Sequence, residues 1–159
     1  MRDEKTYVFL DGYDRIYSTV AIRGNTRHMK GEFIMEIATV EDLDLEKYIT
    51  DIMLDIGVPA HLKGYHYLRD AILLSGRDME VVSSVTKLLY PTVARHFKTT
   101  DQKVERAIRN AIEVSWERGN CETFEKMFGY SAASGKTRPT NSEYIARIAD
   151  KVRLDIKSM

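Results

Sequence analysis

Between Lys98 and Gly119 the chain reads KTTDQKVERAIRNAIEVSWERG, a pattern that suits one long amphipathic helix. Val104, Ala107, Ile108, Ala111, Ile112, Ser115 and Trp116 recur at steps of three and four, which places them on one stripe of a 3.6-residue helix. Gln102, Lys103, Arg106, Arg109, Asn110 and Glu113 fall on the other face. Thr99 is expected to cap the start, with Gln102 completing a capping box, and Gly119 to supply a left-handed stop. Such a helix, specified at both ends and carrying cations on its water-facing side, has the chemistry to touch DNA.

The segment before it fits the same idea. Ser83 or Ser84 is expected to cap a helix whose buried side is Val85, Leu88, Leu89, Val93 and Phe97, and Lys98–Thr100 makes a tight connection to the next helix. This is a helix-turn-helix arrangement, in which the second helix offers its N-terminal residues to the major groove. Pro91 removes a hydrogen bond and clashes with the preceding turn, so a kink near Leu88–Tyr90 or a restart at Pro91 is predicted.

Four motifs in order carry a family likeness: DIGVPAHLKGYHYLRDAI, SVTKLLYP, VERAIRNAIEVSWERGN and FGYSAASGKTRPTNSEYIARIADKVRLD. From about Leu43 to Lys157 the chain resembles the C-terminal effector domain of the stage zero sporulation protein A, a response regulator of endospore-forming bacteria. The resemblance implies an all-helical domain of about six helices that binds short DNA boxes of the TGTCGAA kind and contacts RNA polymerase sigma factors. It also implies that adjacent Glu105 and Arg106 contact bases. Two positions depart from the family pattern, with Lys103 where arginine is usual and Asn110 where histidine is usual.

Helix geometry alone supports the same face. Arg106 points away from the apolar stripe, where its guanidinium could pair bidentately with guanine O6 and N7. Glu105 sits at the edge, able to accept from cytosine N4 or to hold Arg109 one turn on. Lys103 offers a point charge in place of a planar fork, so readout there is expected to be weaker or altered. Lys103, Glu105, Arg106, Arg109 and Asn110 form the expected base-reading set.

The 159 residues carry zero formal net charge, which is unusual for a DNA-binding protein, but the charge is unevenly spread. Residues 1–50 hold seven Lys/Arg against ten Asp/Glu, and residues 51–159 seventeen against fourteen. Attraction to phosphate must therefore come from a local patch. The loop Gly135–Arg138 leads into Thr140, Asn141, Ser142 and Glu143, which read as the capped start of the last helix. Amides at a helix start beside Lys136 and Arg138 make a phosphate clamp, so Gln102, Lys136, Arg138, Asn141 and Ser142 are the expected phosphate contacts.

A lone cysteine, Cys121, rules out an internal disulfide, and the start MRDEKTYVFLDGYD lacks the apolar run of a signal peptide or membrane span. A soluble protein of the reducing cytoplasm is expected. His28, His61, His66 and His96 show no ligand spacing, and no phosphate loop, nucleophile elbow or zinc signature is visible. No enzyme activity, cofactor, catalytic residue or metal site is therefore expected.

Ahead of the helical part, Thr6–Leu10, Arg15–Arg23 and Glu32–Val40 suit a three-stranded antiparallel β-meander, with Ile16, Val20 and Ile22 sharing a face with Phe33, Met35 and Ile37. Asp11 and Asp14 read as turn residues, because the rest of a phosphate-accepting receiver domain does not fit in this space. The expected architecture is mainly α and α+β overall: a small meander over residues 1–42, then a six-helix bundle-like domain with a helix-turn-helix over 43–159. Helices are predicted at Asp44–Ile56, Pro59–Leu74, Glu80–His96, Asp101–Arg118, Glu122–Phe128 and Ser142–Ile156. Leu68, Ile72, Leu89, Val93, Ile108, Ile112, Trp116, Ile145 and Ile148 should form the common core. Two functions are compatible with this pattern. One is a sequence-specific DNA-binding regulator of transcription, bound to duplex DNA as a homodimer or tandem pair and not phosphorylated within this chain. The other is an interaction protein that binds or titrates a full-length sporulation regulator or a sigma factor.

Overall fold

The computed structural model describes residues 7–11, 15–19 and 40–158. The chain divides into two compact units, Met1–Leu45 and Glu46–Met159. In the first, strands β1 (Tyr7–Asp11) and β2 (Arg15–Thr19) pair antiparallel, with Phe9 opposite Tyr17 and Leu10 opposite Ile16. The expected partners Val20, Ile22, Phe33, Met35 and Ile37 lie outside the described residues. So does the expected third strand, except for Val40, which opens a helix instead. The three-stranded meander is therefore unsupported, and the described strands form a two-stranded ribbon.

The rest of the chain is helical: α1 (Val40–Asp55), α2 (Lys63–Arg77), α3 (Met79–Ser83), α4 (Tyr90–His96), α5 (Asp101–Arg118), α6 (Cys121–Phe128) and α7 (Asn141–Ser158). α1 ends in a left-handed stop at Gly57, φ 85°, where the Gly57 and Val58 amides donate to Leu54 and Met53 carbonyls, both at 2.9 Å. α2 begins four residues later than the predicted Pro59, because Leu62 stays extended, ψ 139°, while its amide closes a turn onto the Pro59 carbonyl at 3.2 Å. The chain turns here under close constraint: a Cβ on Gly57 would come within 2.8 Å of the Gly119 Cα.

The core is built where α2, α5 and α7 meet. Leu68 and Ile72 on α2, Val104, Ile108 and Ile112 on α5, and Tyr144, Ile145 and Ile148 on α7 are wholly removed from solvent. Each such side chain contributes roughly 1.5–3 kcal/mol by leaving water, which is why the stripe on α5 settles inward and the cations outward. α2 and α5 cross unusually closely, since a Cβ on Gly64 would lie 1.9 Å from the Ala107 carbonyl oxygen. Of the predicted core, Trp116 alone is only half-buried. It stands edge-on to Phe124 with ring centres 5.3 Å apart.

The predicted single helix Glu80–His96 is three pieces. Asp78, whose carboxylate accepts from the Glu80 amide at 2.9 Å, caps α3; Ser83 and Ser84 do not cap. The Ser83 hydroxyl instead donates back to the Glu80 carbonyl at 2.6 Å. A π-helical turn, Val85–Leu89, then runs without interruption into α4, the backbone staying helical through Leu89 (φ −69°, ψ −57°) and Tyr90 (φ −61°, ψ −43°), and the break lies earlier, at Ser84 (φ −131°, ψ 51°). The chain does not restart at Pro91; proline has no amide to donate, and the wide turn just before it accommodates the missing bond within a continuous helix. A π turn takes in an additional residue, so the stripe read at 3.6 slips. Val85, Leu89 and Val93 still point inward, but Leu88 is turned out to 51 % exposure and Phe97 to 38 %. Phe97 nonetheless packs edge-on against Tyr67 at 4.9 Å.

No described helix is long and apolar enough to cross a membrane.

Candidate nucleic-acid interface

α4 hands over to α5 through a four-residue turn, Phe97–Thr100. The Lys98 amide donates to the Arg95 carbonyl at 3.3 Å and the Thr99 amide to Ala94 at 2.9 Å, the paired bonds of a Schellman stop. Lys98 takes the left-handed position, φ 50°, where glycine is usual, and its charged end stays exposed. The cap of α5 is Thr100, not Thr99: its hydroxyl accepts from the Lys103 amide at 3.4 Å. The shift by one residue puts Lys103 at the third helical position, so Gln102 completes no capping box. Gly119 is also not a left-handed stop, with φ −73° and ψ 172°. Its role is space: a Cβ there would lie 2.3 Å from the carbonyl oxygens of both Ile56 and Ser115.

With its stripe buried, α5 presents Gln102, Lys103, Arg106, Arg109 and Asn110 exposed, and Glu105 half-buried at the edge. Arg109 is ion-paired with Glu105 one turn earlier, as the spacing allowed. Further along, Glu113 is paired with Arg138 at 3.2 Å, which ties the loop before α7 to the second half of the same face. The Lys136 ammonium sits over the Tyr130 ring, 5.3 Å from its centre.

The start of α7 is capped by Thr140. Its hydroxyl accepts from the Glu143 amide at 3.3 Å, while the Glu143 carboxylate accepts from the Thr140 amide at 2.7 Å and hydroxyl at 2.9 Å. Those hydrogen bonds, the backbone one foremost, hold the Glu143 carboxyl below the usual carboxylate range. The helix start thus already has an anion on it. Ser142 is exposed beside it, but Asn141 is not available in the way expected. The Asn141 amide donates to the Tyr90 hydroxyl at 3.0 Å and to the Glu105 carbonyl at 3.2 Å. Both side-chain N–H groups are spent inside the domain, which leaves the backbone amide at the helix start as the donor open to a phosphate.

One pair at this edge was not legible in the sequence. His96 Nδ1, at the end of α4, lies 2.8 Å from the Asp70 carboxylate on α2, joining residues 26 positions apart. The bond to Asp70 raises the His96 pKa above its ordinary 6.5, against an opposing effect of burial. A folded-state value above the unfolded one means that the pair's stabilisation is complete below about pH 6.5 and is lost as pH rises through the raised value. The wild type should therefore exceed His96→Gln in unfolding midpoint at pH 6 and lose that advantage in alkaline buffer. A pH-independent difference would show that the imidazolium is not what Asp70 holds.

A mainly helical domain that buries one stripe of a long helix and leaves the opposite, cation-bearing face open beyond a tight turn has the build of a nucleic-acid-binding module. The model of the family described as sporulation initiation factor Spo0A C terminal matches residues 49–152, and the chain belongs to that family. The family is one of DNA-binding sporulation effector domains, not of enzymes. Among the described residues, no three His, Cys, Asp or Glu side chains are grouped to hold a metal ion.

Proposed function

We propose that this protein is a sequence-specific DNA-binding regulator of transcription in which α4, the Phe97–Thr100 turn and α5 act as a helix-turn-helix and α5 is the recognition helix. The observation that carries the proposal is the division of α5 into a stripe whose Val104, Ile108, Ala111, Ile112 and Ser115 are wholly buried and an exposed row of Lys103, Arg106, Arg109 and Asn110. Arg106 pairs with a guanine edge, Asn110 suits adenine, and Glu105 both steadies Arg109 and offers its second oxygen to cytosine N4. TGTCGAA-type boxes are the expected target, in keeping with the family likeness. Footprinting on duplexes carrying such boxes tests the function: protection confined to the box is expected, and uniform or absent protection would refute it.

Phosphate contacts fall to Gln102, Lys136, Arg138 and Ser142, with Arg138 tied to the α5 face by its ion pair with Glu113. Asn141 keeps its place in that set only through its backbone amide, because its side-chain donors face inward. Replacing Lys136 and Arg138 together with alanine should weaken binding to all sequences alike and lower the salt slope by about one unit per lost contact. An unchanged slope returns the loop to ordinary solvated surface. Regulation is cytoplasmic and independent of phosphorylation within this chain. The reading extends to a sigma factor as protein partner and to a homodimer paired through residues 1–42; sedimentation of the chain alone and with sigma factor checks both.

A further inference from the structure

Asn141 is the residue whose position is least explained by capping or solvation. It is the first residue of α7, yet its side chain reaches the first residue of α4 and the backbone of α5. The α5 carbonyl it holds belongs to Glu105, whose own side chain grips Arg109 on the exposed face. A carbonyl inside a helix already accepts one bond from four residues on, and its second lone pair is the one Asn141 takes.

Tyr90 is delivered to this point by the π turn. Its amide donates to the Val85 carbonyl, closing the wide turn, and its ring is buried with the hydroxyl against Asn141. Removing the additional residue of the π turn would rotate Tyr90 by roughly 100° around α4 and take the hydroxyl away from Asn141. π turns are rare and cost helix regularity, so one that aims a single buried hydroxyl at a three-helix junction has a use.

We infer that Asn141 is a positioning residue for base reading: by joining the Tyr90 hydroxyl of α4 to the Glu105 carbonyl of α5 from the start of α7, it fixes the roll of the recognition helix and so the aim of Glu105, Arg106 and Arg109. This inference rests on α5 being the reading helix. A helix turned by a few degrees still meets the phosphates, since Lys136 and Arg138 reach from a loop, but it misaligns contacts that need bidentate geometry. Loss of Asn141 therefore costs discrimination and spares electrostatic attachment.

The test uses the full chain with Asn141→Ala, Tyr90→Phe and the double variant, titrated on a box duplex and on one altered at the base pairs facing Glu105 and Arg106. Asn141→Ala should lower the ratio of the two affinities roughly tenfold, part of the discrimination that one good base contact supplies, with the salt slope unchanged. Tyr90→Phe should lower it less, and the double variant should fall no further than Asn141→Ala, because the two side chains act as one unit. A fold defect that merely reduced the active fraction would weaken both duplexes equally and leave the ratio intact. An unchanged ratio in folded Asn141→Ala, or a slope reduced by about one unit, overturns the inference, the latter by making Asn141 a phosphate contact. Should Asn141→Ala not fold, Tyr90→Phe decides: a reduced ratio supports the inference and an unchanged one overturns it. A wild-type chain with no preference between duplexes would instead bring down the reading-helix assignment itself.

Discussion

Gly64→Ala is expected to destabilise the helical unit by about 3 kcal/mol or more, the upper end of what an overpacked core costs. The added methyl would lie 1.9 Å from the Ala107 carbonyl oxygen and 2.9 Å from the Ala111 Cβ. The first obstacle is backbone in the middle of α5 and has no rotamer by which to withdraw. α2 must lift off α5, and Leu68, Ile72, Ile108 and Ile112, all wholly buried, lose contact together. Gly76→Ala on the same helix is the natural control, because its nearest neighbour would be the Val152 Cγ1 at 3.9 Å. That substitution should stabilise by roughly 0.5–1 kcal/mol through helix propensity alone. Urea unfolding of the two variants gives the comparison; similar small effects in both would show that the α2–α5 crossing is looser than described.

Arg106→Ala is expected to produce the largest loss of specific binding, roughly 1–3 kcal/mol against a box duplex, with a smaller effect on random DNA. Arg106 is exposed, and no acidic partner for it is seen among the described residues, unlike Arg109 and Arg138, which are held by Glu105 and Glu113. A cation without a competing carboxylate is the one most available to a base edge. Competition titrations with box and random duplexes separate the outcomes: equal losses on both would make Arg106 a phosphate contact instead of a reader.

α5 was legible because its signals are local. A stripe at steps of three and four, and hydroxyls just before it, survive without tertiary information, and the predicted span Asp101–Arg118 is the observed one. Its ends were read less well for a physical reason. Thr99 and Thr100 are both competent caps, and the choice was made by the Schellman turn that uses the Thr99 amide. Gly119 was read as a conformational stop, but it is required by the carbonyl of Ile56, a neighbour only in space. Pro91 announced a distortion just before α4, since a missing amide is a local fact, but the break at Ser84 was not announced. The width of the π turn was not announced, and Leu88 was consequently placed on the wrong side.

The site shows the same division. Arg106 and the Glu105–Arg109 pair follow from helix spacing, and the Thr140–Glu143 cap from its motif. Asn141 does not, because an asparagine beside a helix start reads as local chemistry, whereas its partners are 51 and 36 residues away. His96 and Asp70 carried no signal for the same reason. In the N-terminal unit the expected three-stranded meander is unsupported, and only the pairing of β1 with β2 lies within the described residues.

Sequence-specific DNA binding by this chain is tested most directly by the equilibrium affinity of the whole chain for one duplex carrying a TGTCGAA-type box and for a scrambled duplex of the same length and composition, both at physiological salt. A specific DNA-binding protein separates the two by roughly 10³-fold or more, and that ratio is the expected result. Equal affinities, or no binding to either, would contradict it.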